Sequence, residues 1–308
     1  MGSAQRLILI TGGSGYIGAH TVDSFLRHGY RVRLAGRSES SCQQMLATHS
    51  EHRKLIDTTV VPDITALGAF DSAVQGVDGV VHLASPFFHG FKDVEKDILL
   101  PAINGTTEIL ESIKKHAPQV RRTVITSSIA AILDLSKGIR PGHIYNESQW
   151  NPITHESAIQ NPAVAYAASK KLAEEAAWNF IETEKPNFSL ATLQPMMVYG
   201  PPFPGSTSIS NLGTSANDIY VLMNGSLTQA PTTRLPVYVD VRDVAEAHRL
   251  AYETEGAGRF ALCAGNFTKG QVCRLLRESG LGLENRVPSE GLDAENDLQS
   301  YSVDSSKA

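Results

Sequence analysis

The stretch that most constrains the fold is Leu7-Ile8-Leu9-Ile10-Thr11-Gly12-Gly13-Ser14-Gly15-Tyr16-Ile17-Gly18. Four apolar residues, Leu7 to Ile10, run straight into a glycine-rich turn. Beyond it Ile17, Thr21, Val22, Phe25 and Leu26 recur at three- and four-residue steps, the period of a buried helix face. The glycines satisfy both Gly13-x-Gly15-x-x-Gly18 and Gly12-x-x-Gly15-x-x-Gly18. A backbone without Cβ atoms can approach a pyrophosphate closely, and the first turn of a helix offers it free N–H groups and a positive dipole end. Strand, glycine turn and helix together therefore read as the opening of a dinucleotide-binding βαβ unit, with Gly12, Gly15, Tyr16, Ile17 and Gly18 at the cofactor. The alternative is a tight turn with nothing bound.

Further along, apolar runs alternate with helical patterns. Strands are expected at 7–10, 32–35, 58–61, 79–84, 123–126 and 189–194. Helices are expected at 16–28, 40–49, 65–74, 94–116 and 163–184. Strands without strict alternation, each followed by a helix, imply an α/β fold: a doubly wound parallel sheet covered on both faces, with right-handed crossovers. After Pro195 the alternation weakens, and the proline-rich run from Pro201 to Pro204 reads as an extended loop. A helix at 216–224, a strand at 235–239, a helix at 241–253, a strand at 259–263 and a helix at 268–279 follow. The organisation expected is a nucleotide-binding domain over 1–194, to which 236–265 partly returns, and a smaller interleaved substrate lobe over 195–308. The polar, acidic stretch 281–308 has few packing residues and is expected to be poorly ordered.

A net charge of −5 leaves no basic footprint for nucleic acid or an anionic membrane. The three cysteines form no C-x-x-C and no disulfide framework. The first apolar run is already the first strand, so a cytoplasmic enzyme without a signal peptide is expected. His49 and His52 lack a third ligand at suitable spacing and read as surface helix residues, so no metal is expected. Trp150 and Trp178 read as packing residues rather than stacking platforms.

A doubly wound sheet binds its ligand beyond the carboxyl ends of its strands. That rule selects the glycine turn, Gly36-Arg37-Ser38, Pro62-Asp63-Ile64-Thr65, the loop of Leu83, Ala84 and Ser85, Ser127-Ser128, and Pro195 to Val198. An NAD site usually carries a carboxylate after the second strand for the ribose 2′-hydroxyl. Here Arg37 stands there, and a guanidinium suits a 2′-phosphate that a carboxylate would repel. NADP(H) is the cofactor expected, unless Arg37 is a solvated surface charge. Asp63 would sit beside the adenine, or else act as a turn carboxylate.

Tyr166 and Lys170 lie four residues apart on a predicted helix and share one face. A free phenol, with a pKa near 10, is largely protonated at neutral pH, and a nearby ammonium favours its phenolate. Tyr166 thus becomes a usable general acid or base for a hydroxyl–carbonyl pair, and Lys170 can also hold the nicotinamide ribose. Ser127 and Ser128 end the fifth strand, where a hydroxyl can donate to a substrate oxygen as charge develops. His82, inside an apolar strand, reads as a satisfied core histidine rather than a base.

Thr11-Gly-Gly-Ser-Gly-Tyr-Ile-Gly18, His82-Leu-Ala-Ser-Pro86, Thr126-Ser-Ser128, Tyr166-Ala-Ala-Ser-Lys170 and Tyr238-Val-Asp-Val-Arg-Asp-Val244 occur in that order. In this the chain resembles the extended short-chain dehydrogenase/reductases over residues 5–280. Within them it looks like the dihydroflavonol 4-reductase, cinnamoyl-CoA reductase and fungal carbonyl (methylglyoxal-type) reductase branch. The resemblance implies NADPH-dependent reduction of an aldehyde or ketone. It assigns Ser128 to polarise the carbonyl, Tyr166 to protonate its oxygen and Lys170 to lower the tyrosine pKa and bind ribose. Pro195 and Val198 would flank the nicotinamide. Ser85, Phe87 and Phe88 would begin the substrate pocket, closed by Tyr199, Phe203 and residues around 216–220, and the active form would be a monomer or homodimer. Members of the branch continue past a segment like Asp304–Ala308 into a final helix, so this lobe is expected to end short. Two other readings are a sugar-nucleotide epimerase or dehydratase with tightly held NAD, and a non-catalytic NADP-sensing protein. Arg37 and the Ser128-Ile129-Ala130-Ala131 continuation speak against the first, and the intact Ser128, Tyr166 and Lys170 set against the second.

Overall fold

The computed structural model of the protein describes residues 5–85, 90–205, 212–293 and 299–308. Seven parallel strands form the central sheet: β1 (Leu7–Thr11), β2 (Arg31–Gly36), β3 (Ile56–Val60), β4 (Gly79–His82), β5 (Arg122–Thr126), β7 (Ser189–Pro195) and β10 (Gly258–Leu262). Their order is β10-β7-β5-β4-β1-β2-β3. The chain winds outward from β1 in one direction to β3, then returns to lay β4 on the other side of β1. The crevice beyond the carboxyl ends of β1 and β4 is therefore the switch point of a doubly wound sheet. A short pair, β6 (Ile144–Tyr145) with β12 (Ser302–Val303), lies apart from that sheet.

The unbroken apolar run of β1 serves two cores. Ile8 and Ile10 face one core together with Val22 and Phe25 of α1 (Tyr16–Arg27) and Val244 of α7 (Val241–Glu253). Leu7 and Leu9 face the other with Ile109 of α3 (Leu100–His116) and Ala177 of α5 (Ala165–Glu184). Successive side chains of a strand point to opposite faces, so a strand covered on both sides must be apolar throughout. The chain leaves the large sheet at Pro195 and enters a second, three-stranded one of order β11-β9-β8, built from β8 (Met197–Tyr199), β9 (Val237–Asp240) and β11 (Gly265–Asn266). Against it lie α6 (Thr214–Met223) and α8 (Lys269–Glu278), whose apolar faces meet at Leu222 and Cys273.

Several expectations are corrected. Residues 65–74 form successive turns, not a helix, because Gly68 adopts a left-handed φ of +70° in the middle of the run. Phe70, Ala73 and Val74 are nonetheless buried in the core. The fourth strand stops at His82, because the Ala84 N–H turns onto the Thr11 side chain. Pro236 keeps Leu235 out of β9. The last stretch is also better packed than its composition suggests. Leu283, Val287 and Tyr301 are buried, and β12 pairs with β6 in parallel. The expected helix at 40–49 is α2 (Glu39–Thr48), opened by a capping box between Ser38 and Ser41. A short α4 (His155–Gln160) precedes the long α5. No helix among the described residues is long and apolar enough to cross a membrane.

Candidate active site

The glycine turn is shaped as a cradle. Gly12 has φ +71°, and a Cβ there would lie 2.8 Å from the backbone nitrogen of Ala84. A Cβ on Gly18 would lie 2.0 Å from the carbonyl oxygen of Gly12. Gly15 is the N-cap of α1, with no side-chain cap and no acidic residue in the first turn. The helix therefore begins with backbone donors that no side chain caps and no carboxylate repels, as an anion seat requires. Gly18→Ala forces the turn apart, and a backbone shift of this kind costs about 1–3 kcal/mol. NADPH affinity, measured by fluorescence titration, should fall about tenfold or more; unchanged affinity would remove this turn from the cofactor site.

Thr11 ties the cradle to the next loop. Its Oγ1 accepts from the Ala84 N–H at 3.0 Å and bonds His82 Nδ1 at 2.9 Å. His82 is buried, and burial, with the Lys170 charge adding to it, pushes its imidazole down to about 3. It is a neutral pin that fixes Leu83 and Ala84 beside the turn. Tyr16, at the start of α1, donates to the Gly200 carbonyl at 2.7 Å, and its phenol is pushed up to about 12 by burial and by the Asp240 charge. Ile17 is half-buried against the core.

At the other end of the crevice floor, Gly36 lies so close to α2 that a Cβ would come within 2.7 Å of Cys42 Sγ. Arg37 follows it, exposed, with no hydrogen bond or ion pair among the described residues. Asp63 is exposed too, but its Oδ1 accepts from the Thr65 N–H at 2.8 Å and from the Thr65 hydroxyl at 2.7 Å. These two bonds hold its carboxyl below the usual range. They also anchor the Asp63 carboxylate to its own turn, at the carboxyl end of β3. Ile64 packs beneath Gly105 of α3, where a Cβ would lie 3.0 Å from its Cδ1. An uncapped helix start, a glycine cradle and an unpaired guanidinium after β2 fit the pyrophosphate and 2′-phosphate of NADP(H).

The reacting end is built on β5 and α5. Ser128 follows β5, is buried, and caps a short turn at Ile129–Ala131 by accepting from the Ala130 N–H at 3.1 Å. Its hydroxyl acts on the phenol of Tyr166, in the first turn of α5, and lowers that phenol's pKa. One turn later Lys170 places its Nζ 6.0 Å from the centre of the Tyr166 ring. Burial pushes the Tyr166 phenol up, and the Ser128 hydroxyl pulls it partly back. Lys170 lies beside Tyr166 on the same helix, as the sequence reading expects. Its own ammonium is pushed down to about 8 by burial. Tyr166 is therefore held as the neutral phenol, the form that can give up a proton. Pro195 is the last residue of β7 and Val198, buried, lies in β8, so the two flank the point where the sheets part.

Other expected pocket residues lie elsewhere. Phe87 and Phe88 fall outside the described residues. Phe203 meets His20 edge-on and His49 at a tilt, at 5.2 and 4.9 Å between ring centres, and so packs against α1 and the end of α2. That contact also corrects His49, which is buried rather than on a surface, with its imidazole pushed down to about 4. Tyr199 donates to Asp218 Oδ2 at 2.8 Å, and Lys269 holds the other oxygen of that carboxylate at 2.6 Å. Tyr199 and Ile219 line a cavity of about 610 Å³ with Phe267 and Val272, whose lining includes neither Ser128 nor Tyr166. Sequence reasoning named Ser127 as a candidate donor to the substrate but missed Glu174, the buried carboxylate to which its Oγ donates at 2.5 Å. The available signal was spacing, since Glu174 continues the helix stripe of Tyr166 and Lys170 at a further four residues.

The chain matches the NAD dependent epimerase/dehydratase family over residues 8–262. It is 37% identical over 295 residues to the NADPH-dependent methylglyoxal reductase GRE2 of Saccharomyces cerevisiae, covering 91% of this chain and 84% of that protein. It is 39% identical over 320 residues to the ketoreductase azaE of Aspergillus niger, covering 100% of this chain and 92% of that one. The crystal structure of Gre2 from Candida albicans in complex with NADPH superposes with a TM-score of 0.91 at 33% identity, over 98% of this chain and 91% of that one.

Proposed function

Since the chain belongs to the NAD dependent epimerase/dehydratase family, among its extended short-chain dehydrogenase/reductases, we propose that it reduces an aldehyde or ketone to the alcohol with NADPH. The observation that carries this reading is the placement of Ser128, just past the carboxyl end of β5, with Tyr166 and Lys170 on α5, the lysine Nζ 6.0 Å from the tyrosine ring centre. The bound cofactor supplies a hydride to the carbonyl carbon. Gly12, Gly15 and Gly18 bind its pyrophosphate with Tyr16 and Ile17 beside them, and Arg37 takes the 2′-phosphate. Asp63, Ile64, Leu83, Ala84 and Ser85 line its path, and Pro195 and Val198 flank the nicotinamide.

Ser128 donates a hydrogen bond to the carbonyl oxygen and stabilises the negative charge growing there. Tyr166 gives its phenolic proton to that same oxygen. Lys170 holds the ribose hydroxyls and, as an ammonium, offsets the phenolate left behind. The 1–194 and 195–308 division is part of this reading, with the second lobe choosing the acceptor. So are a small-molecule substrate, a cytoplasmic location and a monomer or homodimer.

A panel of methylglyoxal, aliphatic aldehydes, aryl ketones, diketones and flavonoid-like ketones, followed by NADPH absorbance, tests it. At least one carbonyl should drive NADPH consumption and yield its alcohol. Protein that consumes no NADPH with any of them and carries tightly bound NAD after purification would favour an epimerase instead.

A further inference from the structure

Directly beneath the reacting pair lies a charge cluster that the proposed reaction does not use. Glu174, on α5, is 2% exposed. Its Oε2 accepts from Ser127 Oγ at 2.5 Å. Its Oε1 accepts from Thr192 Oγ1 at 2.7 Å, Gln194 Nε2 at 2.6 Å and Arg259 Nε at 2.7 Å. Arg259, on the edge strand β10, reaches onward. Its Nη1 donates to the carbonyls of Glu147 and Gln149 at 2.6 and 2.7 Å, and its guanidinium lies 3.5 Å from the centre of the Trp150 ring. Trp150 is thus a stacking platform after all, for an arginine of this chain.

The neighbouring Asn151 closes the path back to the site. Its backbone N–H donates to the Ala131 carbonyl at 2.9 Å, and its Nδ2 donates to the Ala130 carbonyl at 2.9 Å. Those carbonyls belong to the short turn that Ser128 caps. Ser128 is therefore braced from both sides: by Ser127 on Glu174, and by the 147–151 loop on Arg259. The same carboxylate is fixed to α5, two turns beyond Tyr166.

A cluster built only for stability would be a poor choice here. Burying an ion pair costs several kcal/mol per ion in lost hydration, and apolar residues of similar volume often do as well or better. What the pair supplies is direction. It joins the helix that carries Tyr166 to the turn that carries Ser128 through bonds of fixed geometry, where sliding apolar contacts would tolerate drift. We propose that Glu174 and Arg259 are positioning residues that set Ser128 and Tyr166 at reacting distance. This rests on the carbonyl-reductase reading above.

The test compares Glu174→Gln and Ser127→Ala with the wild type in steady-state reduction, NADPH fluorescence titration and thermal melting. A misplacement of about 1 Å costs about a hundredfold in rate. In Glu174→Gln kcat should fall about tenfold to a hundredfold, with KM for the carbonyl and NADPH affinity nearly unchanged. In Ser127→Ala, which leaves no buried charge unpaired, kcat should fall several-fold without a drop in melting temperature. Both should move the alkaline limb of the kcat profile to higher pH, because the Ser128 hydroxyl that lowers the Tyr166 phenol is no longer held in place. A merely structural role would lower the melting temperature and leave that limb in place. Should Glu174→Gln fail to fold, Ser127→Ala decides alone. Wild-type kcat and limb in a folded variant overturn the positioning role and leave the reductase reading standing. A wild type that reduces no carbonyl overturns both.

Discussion

Tyr166→Phe should abolish turnover while NADPH still binds. The substitution keeps the ring and removes only the hydroxyl that the proposed reaction uses as its proton source. General acid catalysis contributes about 10²–10⁴ in rate, or roughly 3–5 kcal/mol at 1.36 kcal/mol per tenfold. No neighbour can take over. Lys170 is the nearest candidate, yet its Nζ lies 6.0 Å from the ring centre, one turn along the helix. Ser128 can donate a hydrogen bond, but a serine hydroxyl is too weak an acid to release its proton. NADPH affinity should stay close to wild type, because the glycine cradle and Arg37 are far along the crevice from the phenol. Steady-state rates on any accepted carbonyl, with fluorescence titration of NADPH, check both halves. Substantial residual turnover would sink the role assigned to Tyr166, and lost NADPH affinity would show that the ring also holds the cofactor.

The second large effect lies at the opposite end of the cofactor. Arg37→Asp should shift the preference from NADPH to NADH. Hydrogen bonds to charged groups contribute about 1.5–3 kcal/mol, so loss of the guanidinium alone weakens NADPH by roughly 10- to 150-fold. The new carboxylate adds repulsion against a 2′-phosphate and can accept from a 2′-hydroxyl instead. Two features make the site receptive to this change. Arg37 is exposed with no partner among the described residues, so its removal leaves no buried charge behind. The capping box at Ser38 holds α2 in place independently of residue 37. The ratio of kcat/KM for the two cofactors is the measurement, and an unchanged ratio would remove Arg37 from the phosphate site.

Both predictions rest on features that the amino-acid order carries locally. A glycine turn between an apolar run and a helical period is legible because glycine is demanded where a Cβ would collide, at Gly12 with Ala84 and at Gly18 with Gly12. Tyr166 and Lys170 are legible because a helix brings residues four apart onto one face. Phe203 and Tyr199 are a different case. They lie beyond the regular alternation, and where their rings pack depends on His20, His49, Asp218 and Phe267, none of which any period connects to them. The 65–74 segment misleads for a similar reason. Its apolar residues are spaced for a helix and do reach the core, but a single left-handed glycine divides the backbone into turns.

By itself, the sequence determined the parallel sheet, the switch-point crevice, the cradle for a dinucleotide and the helix face that carries Tyr166 and Lys170. These follow from sterics and from periods of two and 3.6 residues, which act within a few positions of the chain. Only the tertiary structure decided that Glu174 meets Arg259 across 85 residues, that Trp150 carries a guanidinium and that the C-terminal segment closes on β6. It also decided that His49, read as a surface residue, is buried, with its imidazole pushed down to about 4. Burial and partner choice set these outcomes, and both are properties of the packed whole, because a charge is desolvated only when distant segments close over it.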